Sequence, residues 1–261
     1  HVVVTLRADF YDRPLQIKPI ADLFKENSTL VVPMSNEEFT WAIQEPARRL
    51  GVRLDEGVVT AMVNDVVDQP GALPLLQYAL TELFEERQGT TMTLSSYRAL
   101  GGVTGALAQR AEELFNGLSA AEQAVTRQLF LRLVTLEEGR EHTRRRVLRS
   151  ELEAVGESVA EGDTAVPHIL DTFGRHRLLT FDRDPLTREA TVEVAHEALL
   201  GNWQRLRAWL AVHREDIRQQ RLLAAAAKEW TEAEKDESFL LRGARLDQFE
   251  GWAVGTAVAL T

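Results

Sequence analysis

The chain opens on an apolar run, Val2, Val3, Val4, Thr5, Leu6, with the β-branched character of a strand in the middle of a parallel sheet. The stretch from Ile20 to Phe24 then reads as a short helix, and Ser28 to Val32 as a second strand. Strand, helix, strand is the closing part of an α/β sheet. A buried strand at the very first residues gives the expectation that this chain continues something longer. Ser35 followed by Glu38 is a capping box, and Phe39, Ile43 and Leu50 recur at helical spacing behind it, with Pro46 expected to kink the helix. Val58, Met62 and Val66 mark one further helix. Leu76, Leu80, Leu83 and Phe84 mark another, and Leu107, Ala111, Leu114, Phe115 and Leu118 a third. Residues 36–117 therefore read as a small helical bundle.

A second capping box, Ser119 with Glu122, opens a helix carrying Val125, Leu129 and Leu133 on one stripe. The rhythm changes after it. Thr143 to Val147 reads as a short strand and Ser150 with Glu153 as the cap of a short helix. Val166 to Phe173 is another helix, and Arg177 to Phe181 with Thr191 to Val194 flank a polar turn at Asp184-Pro185. Helix, strand, helix, helix, hairpin is the order of a winged helix, placed at 118–195. From His196 onward, Leu199, Trp203, Leu206, Leu210 and Ile217 form one helical packing stripe, so 196–261 reads as a helical arm. The expected fold class is mainly α, with a small α/β remnant at 1–35.

Composition narrows the function classes. Thirty Lys and Arg against forty Asp and Glu give a net charge of −10, which disfavours a nucleic-acid coat or a polybasic membrane anchor. There is no cysteine, so disulfides, thiol nucleophiles and cysteine zinc sites are excluded and a reducing, cytoplasmic setting is expected. No apolar run approaches the ~18 residues of a membrane span, and no secretory leader is visible.

Motifs for catalysis are missing from these 261 residues. No G-x-x-x-x-G-K-[ST] occurs, and none of Lys18, Lys25, Lys228 and Lys235 follows a glycine. This chain alone is therefore not expected to hydrolyse ATP. H-E-x-x-H and G-x-S-x-G are absent too; after His196-Glu197 the position a second zinc histidine would need is Leu200. No metal ligand and no catalytic residue is expected.

Three stretches carry a resemblance. They are Thr5-Leu6-Arg7-Ala8-Asp9-Phe10-Tyr11, Gln69-Pro70-Gly71-Ala72-Leu73-Pro74-Leu75-Leu76-Gln77, and Val192-Glu193-Val194-Ala195-His196-Glu197-Ala198-Leu199-Leu200. With Gly101-Gly102-Val103-x-Gly105-Ala106-Leu107 and Thr143-Arg144-Arg145-Arg146-Val147 they span nearly the whole chain. The sequence resembles the novel STAND NTPase domain of bacteria, found in large signalling proteins that often carry WD-type repeats. The resemblance implies an ATP/ADP-dependent switch that couples nucleotide state to domain rearrangement, with homo-oligomer assembly on activation. It also implies that the P-loop and the Mg²⁺ site lie upstream of residue 1, and that 36–117 is a lid.

The same resemblance implies three nucleotide-binding positions. Arg7, following a strand at the carboxyl end of a parallel sheet, matches a sensor arginine for the terminal phosphate; a salt bridge to Asp9 or Asp12 is the structural alternative. Pro74 matches the proline of a Gly-x-Pro motif that packs on the base, although Ala72 stands where that motif has glycine; an ordinary helix start is the alternative. His196 matches the histidine that contacts ADP, against the alternative of a core histidine satisfied by a carbonyl. A bound diphosphate is expected to raise the His196 pKa. Arg140, Arg144, Arg145, Arg146 and Arg149 form a basic cluster that supports a rival reading as a DNA-binding winged helix, though the candidate recognition helix is poor in basic residues until Arg175. A helical protein-interaction scaffold is a third reading.

Overall fold

The computed structural model describes residues 3–6, 11–67, 72–136, 142–159, 165–185 and 187–260. Helices dominate it. The first are α1 (Asp12–Leu15) and α2 (Lys18–Asn27), then α3 (Asn36–Arg49). The Ser35 hydroxyl accepts from the Glu38 amide at 3.3 Å while the Glu38 carboxylate takes the Ser35 amide at 2.7 Å, so the predicted capping box forms. The helix runs through Pro46 and buries Phe39, Ile43 and Ala47. Val3–Leu6 and Ser28–Val32 do not form strands; Val3, Leu30, Val31 and Val32 are largely exposed. Both stretches have the right residues, but an extended segment becomes a strand only when a neighbouring edge takes up its amides and carbonyls, and none among the described residues does so.

β1 (Arg53–Leu54) leads to α4 (Val58–Val66), which buries Val58, Met62, Val63 and Val66. α5 (Ala72–Glu85) follows, then β2 (Thr91–Met92), which pairs parallel with β1. α6 (Leu94–Ala99) is capped by Thr93, and α7 (Gly102–Gly117) packs along both α4 and α5. The Gly-Gly-Val-x-Gly motif is the entry to α7. Gly101 and Gly102 both have φ of 76°, and a Cβ on Gly102 would sit 2.5 Å from Asp65 Oδ2. That carboxylate receives the Tyr97 hydroxyl at 2.5 Å and the Val103 amide at 3.4 Å. A Cβ on Gly105 would meet the Leu100 carbonyl oxygen at 2.6 Å. The glycines thus allow two backbones and a carboxylate to close on one another.

α8 (Ala120–Arg132) begins with the Ser119–Glu122 capping box. β3 (Val134–Thr135) pairs antiparallel with β4 (Thr143–Arg144), and β5 (Val147–Leu148) leads into α9 (Arg149–Val159) and α10 (Ala165–Arg175). The stretch 143–147 is thus two short strands in two different sheets. α9 starts at Arg149, which puts Ser150 inside the helix rather than at its cap. β6 (Leu179–Arg183) and β7 (Ala190–Val194) form the hairpin, and the sheet order is β5-β7-β6, all antiparallel. From α8 to β7 the connectivity is that of a winged helix.

α11 (Ala198–Asn202), α12 (Gln204–Val212), α13 (Arg214–Glu232), a 3-10 turn at Glu237–Phe239 and α14 (Ala244–Gly255) complete the chain. Trp203, 1% exposed, is the hub of an aromatic cluster, with ring centroids 5.0 Å from Phe130, 5.4 Å from Trp209, 6.2 Å from Phe115 and 6.4 Å from Phe173. Because Phe115 belongs to α7 and Phe130 and Phe173 to α8 and α10, one continuous core runs from the first bundle through the winged helix. Among the described residues no helix is long and apolar enough to cross a membrane.

Candidate functional site

His196 lies in the short link between β7 and α11 and is half-buried. Two elements fix it. Its carbonyl accepts the Leu199 amide at 3.0 Å, starting α11. On the other side Arg144 of β4 donates from Nη1 to the carbonyls of Val194 (3.2 Å) and Ala195 (3.0 Å), while its Nε lies 3.5 Å from Glu193 Oε1. The guanidinium therefore straps the link that carries the histidine. Burial, and then the positive charge of Arg144, hold the His196 pKa below its ordinary value. The ring is thus neutral near pH 7 in the protein by itself, and an anion placed against it would act in the opposite direction, favouring the protonated form.

Pro74 is the third residue of α5. At that place its missing N–H removes no helical bond, because the first four amides of a helix have no partner within it. Leu75 and Leu76 turn inward, whereas Pro74 and Leu73 are exposed, leaving an apolar step at the mouth of the helix. Arg7, and Gln69-Pro70-Gly71 of the same motif as Pro74, lie outside the described residues. What links Pro74 to His196 is α7: it packs against α5, which starts at the apolar step, and against α11, which starts just beyond the histidine.

A cavity of about 970 Å³ lies beside His196 but is lined by its neighbours, among them Glu197, Gly201, Asn202, Arg207 and Arg214, and by His142. Neither His196 nor Pro74 lines it. Among the described residues no group of three His, Asp or Glu side chains is arranged to hold a metal ion.

The basic cluster is paired within the protein. Arg145 binds Glu151 at 3.0 Å, Arg146 reaches Glu193 at 3.4 Å and Asp182 at 3.6 Å, and Arg149 binds Glu153 at 2.8 Å. Arg140 lies outside the described residues. On α10 the one arginine, Arg175, is bound to Asp171 at 2.7 Å. Each of these described guanidiniums has a carboxylate partner within the protein.

Sequence reasoning did not find Glu112. This α7 carboxylate accepts the Trp203 indole N–H at 2.8 Å and two donors of Arg205, Nη2 at 2.5 Å and Nε at 3.0 Å. It ties the first helical bundle to the chain following His196. A glutamate on a polar helix face, 93 residues from its partner, leaves no local signal.

A family model, Novel STAND NTPase 1, matches residues 1–238. The chain belongs to the novel STAND NTPase 1 family. No curated protein and no solved structure matches it significantly. Membership of this STAND family implies nucleotide binding in a signalling role, and the matched region takes in Pro74, His196 and the whole of the winged helix.

Proposed function

We propose that this chain is the nucleotide-sensing part of a STAND switch: it reads whether ADP or ATP is bound and converts the difference into movement of its helical modules. On this reading residues 1–35 close an α/β nucleotide-binding domain, 36–117 are a lid, 118–195 the winged helix, and 196–261 an arm toward a sensor or effector such as WD-type repeats. The observation that carries the proposal is the sharing of α7 by the helix that holds Pro74 and by α11, the helix that follows His196. A ligand gripped at both points would feel, and alter, the packing of one helix.

The residues present fit part of an adenine nucleotide. The exposed Leu73-Pro74 step suits an apolar base face, and a half-buried imidazole beside a guanidinium suits a phosphate. With ADP, Pro74 and His196 hold lid and winged helix to the nucleotide. With ATP, contact shifts to Arg7 and the winged helix is released for assembly with further copies. Bound Mg²⁺ and a phosphate-binding loop would supply the hydrolytic chemistry; none of the residues described above is assigned a step in it.

The test is the release rate of fluorescent ADP from the full-length protein. His196→Ala removes a charge-assisted contact worth ~1.5–3 kcal/mol, so release should speed up about 10- to 100-fold. Pro74→Ala should weaken binding of the adenine ring while leaving inorganic phosphate competition unchanged. Release at the native rate from His196→Ala would remove that residue from the switch.

A further inference from the structure

The last described residues are held in an unusual way. Thr256, next after α14, is extended, and from Ala257 to Ala259 α8 reads the backbone with side chains instead of a strand. Gln128, itself 5% exposed, donates from Nε2 to the Ala257 carbonyl at 2.7 Å and accepts the Ala259 amide on Oε1 at 3.0 Å. One helical turn on, Arg132 donates from Nη2 to the Ala259 carbonyl at 2.5 Å. Between these contacts Val258 inserts into the core, 4% exposed. Alternating backbone capture around a single apolar anchor is how a groove binds an extended peptide.

The element that delivers this segment is lightly held. Phe249 is the one residue of α14 that is buried, and Val254 on the same helix is 92% exposed. Its polar tie is Trp252, whose indole N–H donates to Asp216 Oδ1 at 2.8 Å, while His213 Nδ1 lies 3.2 Å from the other oxygen. The match to the family ends at residue 238, so α14 and the segment after it lie outside the matched region. Few buried contacts and short polar ties mark a unit that opens without the rest of the molecule.

We propose that residues 256–260 are a detachable strap, a peptide ligand bound in cis against α8, while α14 keeps its own tie to Asp216. Arg132 is the reason the strap closes. It is 3% exposed, its nearest carboxylate, Glu151, is 3.7 Å away, and Arg145 already binds that same carboxylate. The Ala259 carbonyl is the acceptor that its Nη2 gains on closing. This inference does not depend on the nucleotide reading.

The experiment uses the full chain. In hydrogen exchange with mass spectrometry, the strap and α14 of the native protein should be protected, yet exchange at least tenfold faster than α8. Val258→Asp should abolish the protection of the strap while α8, α9 and α10 keep theirs. A labelled synthetic peptide of residues 255–260 should then bind Val258→Asp, should not bind the native chain, where the tethered copy outcompetes it, and should lose binding when Gln128→Leu is added. Ala259→Pro, which deletes one donor and leaves the anchor, should give intermediate protection if Val258→Asp does not fold. Exchange of strap and α8 in a single step, no protection of the strap in the native chain, or peptide binding indifferent to Gln128 would each overturn the proposal.

Discussion

Arg205 lies across the carboxylate of Glu112 with two donors, and its guanidinium carbon sits 4.4 Å from the ring centroid of Phe115, one helical turn along α7. The same carboxylate takes the N–H of the buried Trp203. One side chain therefore closes the seam between the first helical bundle and the helices after the winged helix. The two contacts differ in worth. Glu112→Ala leaves the indole N–H buried without an acceptor, a cost of ~1–3 kcal/mol. Arg205→Ala removes a half-exposed ion pair, worth about 0.2–1 kcal/mol. Urea denaturation should rank the two variants in that order, and equal losses would mean that the indole bond contributes nothing.

Glycines of α7 should respond in opposite directions. Gly105→Ala drives a methyl onto the Leu100 carbonyl, and relief requires moving backbone, so the loss should be ~1–3 kcal/mol. A Cβ at Gly117 meets nothing within 4 Å. Gly117→Ala should stabilise by about 0.4–1 kcal/mol through the unfolded chain. Thermal midpoints of the two variants against the native protein check both signs.

Glu151 is the carboxylate shared by Arg145 and Arg132, and Arg221 beside them has its pKa lowered to about 10, by burial first and then by the charge of Arg145. Glu151→Gln leaves this crowd of guanidiniums uncompensated. The expected loss is about 3 kcal/mol, the low end for breaking a buried pair, because Glu151 is partly exposed. Glu153→Gln, which breaks an exposed pair with Arg149, should cost no more than ~0.5 kcal/mol. Similar midpoints for the two variants in urea would contradict the buried-charge argument.

The pH dependence of stability should carry a His196 component of definite sign. The folded pKa lies below the unfolded one, so the unfolded chain binds more protons once the pH drops below about 6.5. The native state keeps its full stability above that value and loses it as the pH falls through the folded pKa. His142, whose pKa is lowered by burial and then by Arg214, adds a component of the same sign. Melting temperatures from pH 7.5 to 5.0 should fall less steeply for His196→Gln than for the native protein. Parallel curves would mean that His196 is not held neutral.

Much of the fold was legible because helices are local. Ser35 with Glu38 and Ser119 with Glu122 close their capping boxes within one turn, and the stripe Val58-Met62-Val66 buries as periodicity requires; Leu199, Trp203, Leu206 and Leu210 are buried too, but on α11 and α12 with a break at Trp203 rather than along one helix. The hairpin of β6 and β7 was legible for the same reason. Strand Val3–Leu6 was not, since its residues state a preference that only a partner edge can satisfy.

Of the candidate site, the sequence by itself named Arg7, Pro74 and His196, through the wording of three motifs, and of these Pro74 and His196 lie among the described residues. Tertiary structure decided what surrounds them: that Arg144 straps the His196 link and that burial, then Arg144, depresses its pKa, that Arg145, Arg149 and Arg146 pair with Glu151, Glu153, Glu193 and Asp182, and that α7 packs on both α5 and α11. The difference is one of range. Propensity, capping and burial periodicity act over a few residues and are written along the chain, whereas a charge takes its partner from whatever element packing brings within a few ångströms, and that is settled only when the whole chain has folded.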